Sequence, residues 1–511
     1  MGKNQTHSLL LCCFLLLCQV ASGTTYYITT TGNDANTGLS HDAAFLTLYK
    51  AVTTAKNAGD EILVAPGTYI MYPDTTKMNL IAITASYITI RGLGTTAATR
   101  PIFDFSQKKA ANSSYYGIQL KGSYCSLYGF AIKGAQDNGL LINGGSYNTI
   151  EFCDFLENQD SGVQIKGKGQ YNKFINCDSY YNVDPAQGNA DGFADKLDEG
   201  GFNSFRGCRA YQNSDDGWDG LLGNVNYTPS DTIYDSWCYK NGYLKDGSKS
   251  SGNGNGFKLG GTQGGASGPF IHRQLLVRCL SVKNLQKGFD YNNNAGSMTL
   301  YNCTGMGNGG TGNFAFPTAV ASGETVTLKN CLSYNSSYGS LYKDVVQATN
   351  SWSGGFSVSN ADFQSIDDTQ LLWPRNDDGS LPVITFLHLM TGSDLIDAGT
   401  VIAGLPYNGT KPDLGCFEYA SSLGIEDLPS QTSGTFVYPS PSSGRFYISS
   451  SLPDIEMYRV YSAAGDLLFE KQAAHPRQEA SIDLSTYGNG TYLLEIVGAS
   501  AVEHHKIILS K

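Results

Sequence analysis

Two short patterns alternate along the middle of the chain. In the first, cysteine is followed five positions later by asparagine: Cys153/Asn158, Cys177/Asn182, Cys208/Asn213, Cys279/Asn284 and Cys303/Asn308. Ser236/Asn241 fits the same frame, and Cys331/Asn335 is one residue shorter. In the second, a polar residue precedes glycine and a large apolar residue: Asn138-Gly139-Leu140, Ser161-Gly162-Val163, Asp191-Gly192-Phe193, Asp216-Gly217-Trp218, Asn255-Gly256-Phe257 and Lys287-Gly288-Phe289. Gly312-Asn313-Phe314 closes the series. Cys153 to Cys177 and Cys279 to Cys303 both span 24 residues. Short β segments repeated at this period predict a parallel β-helix, whereas propeller blades of roughly 40–50 residues are too long. From asparagine to the next glycine the chain takes 4 residues in the tight coils, 10 at 182–192 and 15 at 241–256. Insertions therefore enter at one corner of the coil.

This frame predicts where side chains go. Leu140, Val163, Phe193, Trp218, Phe257, Phe289 and Phe314 form one inner ladder, and the small, usually buried cysteines form another. Glycine and asparagine tolerate φ > 0, so both are expected to turn the corners. Upstream, Phe45, Leu48, Val52 and Ala55 have helical spacing over 45–55 and predict an amphipathic helix capping the N-terminal end of the solenoid. Gly59-Asp60-Glu61-Ile62-Leu63-Val64 reads as the first strand and Pro66-Gly67-Thr68-Tyr69 as its turn. Asp377 to Glu418 reads as a closing segment over the C-terminal end.

Composition narrows the class. Charged residues are 15%, Gly numbers 60, and Lys+Arg 34 against Asp+Glu 45 gives a net charge of −11. At 41% hydrophobic and 12% aromatic the chain is too apolar for disorder. It is too acidic to hold nucleic acid by bulk charge, and too rich in Gly, Asn and Tyr for a helical bundle. Lys3, the apolar run Leu9–Cys18 and Ala21-Ser22-Gly23 predict a signal peptide over 1–23. No later stretch is long and apolar enough to span a bilayer. Nine cysteines remain beyond that segment, an odd number with no CxxC pair, so neither a zinc site nor a full disulfide framework is expected. The expected layout is a β-helix over 24–425, a Ser/Gly/Pro-containing linker at 426–435 and a small β-sandwich over 436–511.

The β-helix frame brings distant carboxylates together. Two positions after each glycine stand Leu141, Gln164, Ala194, Asp219, Lys258 and Asp290, a column that strand alternation turns outward. Asp191, Asp215, Asp216 and Asp219 then share two adjacent rungs, with Lys258 beside Asp219 on the next, and both insertions rise alongside. Clustered carboxylates repel unless a cation neutralises them, and oxygen donors without His or Cys favour Ca²⁺. Ser214-Asp215-Asp216-Gly217 taken alone also fits an ordinary polar turn. A dication beside Lys258 disfavours its ammonium form, and a neutral lysine is a competent base.

At Asp191-Gly192-Phe193, Ser214-Asp215-Asp216-Gly217-Trp218-Asp219, Gly254–Gly261 and Lys287–Asn294, the chain resembles polysaccharide lyase family 9, the calcium-dependent pectate lyases. The resemblance covers roughly residues 25–420 and implies a right-handed parallel β-helix. It also implies that the four aspartates bind Ca²⁺ and that Lys258 takes the C5 proton of a uronate. The implied partner is an acidic plant-type polysaccharide, cleaved by β-elimination. Lys287 and Arg273 are candidate contacts for its carboxylates. Galacturonan is the expected substrate, with a rhamnogalacturonan backbone open. An inverting polygalacturonase and a non-catalytic glycan-binding β-helix are the competing readings. Tyr438-Pro439-Ser440-Pro441, Gly444-Arg445-Phe446, Asp483-Leu484-Ser485 and Gly490-Thr491-Tyr492 resemble a type IX secretion sorting domain, with Ser440 where that family has Asn. It implies secretion-machinery contact and a secreted or cell-surface protein, expected to act as a monomer.

Overall fold

Three parallel sheets wind around one axis in the computed structural model. It describes residues 23–511 except 72–80, 95, 97, 108–114, 224–227, 263–268, 420–435 and, in the C-terminal unit, 439–441, 443, 450–454, 463–466, 474–478, 499–501 and 510–511. The predicted signal peptide up to Ser22 and the predicted linker lie outside the described residues. The chain forms two compact units, residues 1–420 and 421–511.

The first unit is a right-handed parallel β-helix. A long sheet runs from Thr25–Ile28 to Val346–Ala348 and a second from Thr68–Ile70 to Leu332–Tyr334. The third, from Ala82–Ile83 to Gly339–Leu341, carries the polar-Gly-apolar motifs and is called the site sheet. Its inner ladder matches the predicted register: Leu140, Val163, Phe193, Trp218, Phe257, Phe289 and Phe314 are successive partners. Trp218 and Phe257 stack at 4.9 Å and Phe257 and Phe289 at 5.1 Å. All nine cysteines are free and buried. Cys153, Cys177, Cys208, Cys279, Cys303 and Cys331 aim their thiols at backbone carbonyls of the preceding coil, as small buried hydrophobes with a weak donor.

The corner chemistry differs from the expectation. Positive φ falls on the residue before most of these asparagines, namely Glu157, Tyr181, Gln212, Lys240, Lys283 and Gly307, and on the asparagine itself only at Asn335. The asparagines instead form a hydrogen-bonded ladder. Asn158 bonds through N and Nδ2 to Asn182 Oδ1, and the pattern repeats through Asn213, Asn241, Asn284 and Asn308. Only a side chain with a donor and an acceptor on one short stem can do this on every rung. The motif glycines serve close packing, not turning. A Cβ on Gly217 falls 2.5 Å from Cys238 Sγ and 2.6 Å from the Gly256 carbonyl.

Three further expectations shift. The capping helix is Leu48–Thr54, because Phe45 is held in a bridge to Ile28 and Thr47 caps the first turn by accepting from Lys50 N. The long sheet begins one strand earlier than predicted, at Thr25–Ile28, which pairs with Glu61–Val64. The segment at 377–418 does not close the end. Leu371, Ile384, Phe386, Leu389 and Leu414 pack on Trp237, Tyr239, Leu280, Val282 and Leu332, the outward apolar face of the second sheet. Arg209 and Arg375 pin it there on buried Asp178. Trp352 covers the last ring of the inner ladder, 5.0 Å from Phe314.

The second unit is a small sandwich of two antiparallel sheets. Phe446, Ile448, Tyr458, Val460, Ile482, Leu494, Ile496 and Ile507 fill the core between them.

Candidate active site

Strand alternation places the chemistry. On the site sheet the ring at each rung points in, so the next residue points out. Gln164, Ala194, Asp219, Lys258 and Asp290 are consecutive partners in that outward column. Asp191 and Asp216 precede the glycines on adjacent rungs, and Asp216 N donates to Asp191 Oδ1 at 3.1 Å. Asp191, Asp215 and Asp216 each offer an oxygen within 4.8 Å of the others. The structure thus brings together the four aspartates and Lys258.

It adds a lysine that sequence reasoning missed. Lys196 Nζ lies 2.6 Å from Asp191 Oδ2 and 3.1 Å from Asp219 Oδ2. Lys258 Nζ lies 2.9 Å from Asp216 Oδ2 and 3.2 Å from Asp219 Oδ1. Lys196 stands past the end of its strand, outside the outward column, so the alternation that found Lys258 could not find it. Two neutral residues fix the carboxylates: Ser161 Oγ lies 3.1 Å from Asp191 Oδ2, and Asn255 donates to Asp216 Oδ1 through Nδ2 at 2.8 Å and through its backbone N at 2.7 Å. Both occupy the pre-glycine column, which was the signal available for them.

Charge is unevenly shared. Burial, reinforced by Asp216 and Asp191, pushes the Asp215 carboxyl up to about 9. Burial also raises Asp191 to about 7 against the pull of Lys196, and raises Asp216 against Lys258. At Asp219 burial is outweighed by Lys258 and Lys196, which hold it below the usual carboxylate value. Burial would lower the Lys258 ammonium, but Asp216, Asp219, Asp191 and Asp215 outweigh it and hold it well above an ordinary lysine. With all four ionised, the carboxylates exceed the two ammoniums by two negative charges, all in groups that are almost completely buried. An all-oxygen donor set with a residual charge of that sign and size fits one Ca²⁺.

The two insertions meet beside Asp215. Ser251 Oγ donates to the Ala186 carbonyl at 2.6 Å, Ser250 Oγ to the Ser214 carbonyl at 2.5 Å, and Asn253 N to Asp215 Oδ1 at 2.6 Å. Lys287 stands one rung beyond Lys258, with Nζ 3.0 Å from Asp290 Oδ2. Arg273 is not brought to the site. It opens a strand of the long sheet, and its guanidinium is bound 2.6 Å from Glu324 Oε1.

A family described as Pel9A-like, right handed beta helix region, matches residues 26–330. The description secretion system C-terminal sorting domain matches residues 436–510. Pectate lyase L of Dickeya dadantii (strain 3937) is 36% identical over 405 residues, covering 77% of this chain and 90% of that protein. Pectate lyase L of Paenibacillus polymyxa (strain SC2) is 34% identical over 445 residues, covering 76% and 94%. Among solved structures, pectate lyase Pel9A superposes with a TM-score of 0.68 at 33% identity, covering 79% of this chain and 98% of that one. A rhamnogalacturonan lyase superposes with a TM-score of 0.63 at 27% identity, covering 72% and 97%.

Proposed function

The chain belongs to the Pel9A-like right-handed β-helix family, and on that premise we propose that this polysaccharide lyase cleaves 4-linked galacturonan by β-elimination, with Lys258 as the base. Its C-terminal sorting domain makes it a secreted or cell-surface protein. The observation that carries the reading is Lys258 on the outward column beside Asp219, among four buried aspartates. Asp191, Asp215, Asp216 and Asp219 are the proposed Ca²⁺ ligands. A Ca²⁺ held there supplies positive charge against the uronate carboxylate, offsetting the charge that develops as the C5 proton leaves.

The chain's own groups do the rest. Lys258 is held as ammonium by the same aspartates, so it becomes a base only when their charge is engaged elsewhere. Its free amine then takes the C5 proton. The C5–H electron pair forms the C4=C5 double bond, and the C4–O4 bond breaks. The leaving oxygen stays on the anomeric carbon of the non-reducing-side fragment and takes a proton to become its new reducing end, while the other fragment keeps the C4=C5 bond at its non-reducing end. Asn255 and Ser161 keep Asp216 and Asp191 oriented meanwhile. Lys287, half-exposed one rung away, is the proposed contact for a neighbouring uronate carboxylate.

The structural likeness to a rhamnogalacturonan lyase favours a second substrate, a backbone alternating uronate with neutral sugar. Digestion of polygalacturonate and of rhamnogalacturonan, with Ca²⁺ or with chelator, separates the two. The expected result is ultraviolet absorbance of the conjugated C4=C5 bond on polygalacturonate, abolished by the chelator. New reducing ends without that absorbance overturn the lyase mechanism and point to a hydrolase. Lys258→Ala is expected to lower kcat about 10³-fold or more while leaving the fold intact, in the upper range for loss of a general base. A variant with unchanged turnover removes Lys258 from the reaction and leaves a binding role for the face.

A further inference from the structure

The same coils that carry the outer site break the apolar interior beneath it. The inward column of the site sheet reads Leu120, Ile142, Ile165 and then Asp195, all buried. The asparagine ladder of the long sheet breaks at the same level. Asn148 bonds to Asn172 and Asn172 to Asn203, but the next position is Asp231, whose Oδ1 accepts from Asn203 N at 2.7 Å. Aspartate has no amide to pass on, so its Oδ2 faces His272 Nε2 at 2.5 Å instead.

His272 is oriented from behind. Its Nδ1 lies 2.9 Å from the Gly220 carbonyl, which can only accept, so Nδ1 carries the hydrogen, and Nε2, which Gln274 Nε2 also meets at 2.8 Å, is turned toward the acids. Holding the remote ring nitrogen on a backbone carbonyl is the usual support of a metal-binding imidazole. Glu199, Asp231 and His272 each present a ligand atom within 4.8 Å of the others.

Polar atoms are left over around this cluster. Glu199 Oε1 and Asp195 Oδ2 have no hydrogen-bond partner, nor do Gln274 Oε1 and Trp218 Nε1. These residues are 0%, 4%, 7% and 3% exposed. Unpartnered buried oxygens cost about 1–3 kcal/mol each, more when charged. Among the described residues, His272 is the one basic side chain paired with Asp231 or Glu199, and no Lys or Arg pairs with Asp195. A cavity lined by Asp195, Asp231, Gln274 and Trp218 also reaches Asp219 and Lys258, so the cluster lies under the outer site.

We propose that Asp195, Glu199, Asp231 and His272 form a second, interior cation site for a divalent ion that accepts imidazole nitrogen beside carboxylate oxygen, Mn²⁺ or Zn²⁺. Ca²⁺ is the poorer match because it takes oxygen ligands and this set includes an imidazole. Trp218 Nε1 and Gln274 Oε1 offer a donor and an acceptor for a water on that ion. The site stands on this geometry alone, whatever reaction the outer face performs.

The test uses the full chain, stripped with chelator and titrated with Co²⁺, Mn²⁺ or Zn²⁺ in the presence of saturating Ca²⁺. One tightly bound equivalent is expected, retained in Asp191→Asn and lost in His272→Gln and Glu199→Gln. X-ray absorption on the Co²⁺- or Zn²⁺-loaded wild type is expected to show one imidazole nitrogen at about 2.0–2.1 Å, a signature the all-aspartate outer site cannot give. That measurement needs no variant and stands even if His272→Gln fails to fold. An oxygen-only shell, no equivalent beyond the one Asp191→Asn removes, or full retention in His272→Gln overturns the proposal. In each of those cases the acids are held by shared protons.

Discussion

The outer and inner carboxylate clusters sit on neighbouring coils, yet they are balanced in different ways. Outside, Asp191, Asp215, Asp216 and Asp219 are met by Lys196 and Lys258. Inside, among the described residues, His272 is the one basic side chain paired with Glu199 and Asp231, and Asp195 is met by the neutral Asn203 amide. In the coils before them the inward column of the site sheet stays apolar through Leu120, Ile142 and Ile165, and a carboxylate enters it at Asp195, beneath the outer site. The lesson concerns placement. A repeating coil supplies rigid positions at fixed spacing, and function is written by departures from the repeat on a few adjacent rungs. Buried carboxylates with lysine partners can fold without an ion, at the cost of tying up the base. Those without lysines need a bound ion or shared protons instead.

Removing a lysine breaks this difference most severely. Lys196→Met leaves Asp191 and Asp219 short of one buried positive charge. Without Ca²⁺ the loss of stability is expected to be about 3–5 kcal/mol, the scale for breaking one side of a buried ion pair. Saturating Ca²⁺ should recover most of it, because the ion replaces the missing charge. Urea unfolding with and without Ca²⁺ checks this. A loss of equal size in both conditions shows that Lys196 packs but does not balance charge.

The pH dependence follows from the same groups. Asp191 keeps its proton to about 7 and Asp215 to about 9 when no ion is present, against about 3.9 in an unfolded chain. The folded state therefore binds more protons across that interval, and its stability falls as pH rises from about 4 toward about 9. Ca²⁺ should flatten the fall and bind more tightly at higher pH. Thermal melts at several pH values, with Ca²⁺ or chelator, test the sign. Stability that rises with pH in the chelator contradicts it.

How much of this the sequence revealed depended on which rule placed each residue. The motif Asp216-Gly217-Trp218-Asp219 fixes its own geometry: an inward ring sets the outward neighbour, and one rung pairs with the next at a constant register. Asp191, Asp219 and Lys258 were legible for that reason. Lys196, Asp195, Glu199 and His272 were not. Asp195 lies in an inward column where the pattern predicts an apolar residue, and Glu199 and His272 approach from loops whose path no repeat dictates. The asparagines were placed at the right corner for the wrong cause, since ladder hydrogen bonding leaves no trace in a single coil. A Cβ test of the frame itself is smaller in effect. Gly217→Ala meets Cys238 Sγ and the Gly256 carbonyl, so it is expected to cost about 1–3 kcal/mol as overpacking does, measured by urea unfolding. A neutral outcome means the coils can separate locally.

The smallest expected effect separates Arg273 from Lys287. Both are basic residues near the site in sequence, but Arg273 is engaged at the far edge of a different sheet. Its partner Glu324 also accepts from Ser297 N at 2.8 Å and Ser297 Oγ at 2.6 Å, so the pair ties two strands of the long sheet together. Arg273→Ala removes an exposed ion pair, for which about 0–1 kcal/mol is the ordinary loss, and kcat and KM should stay unchanged. Lys287→Ala should instead raise KM for polygalacturonate with little change in kcat, because a carboxylate contact remote from the reacting carbon is made equally in ground and transition states. Steady-state kinetics on the two variants decide between them. If Arg273→Ala raises KM as much as Lys287→Ala does, the substrate path extends past the edge of the site sheet, and the boundary of the outer site must be redrawn to include the long sheet.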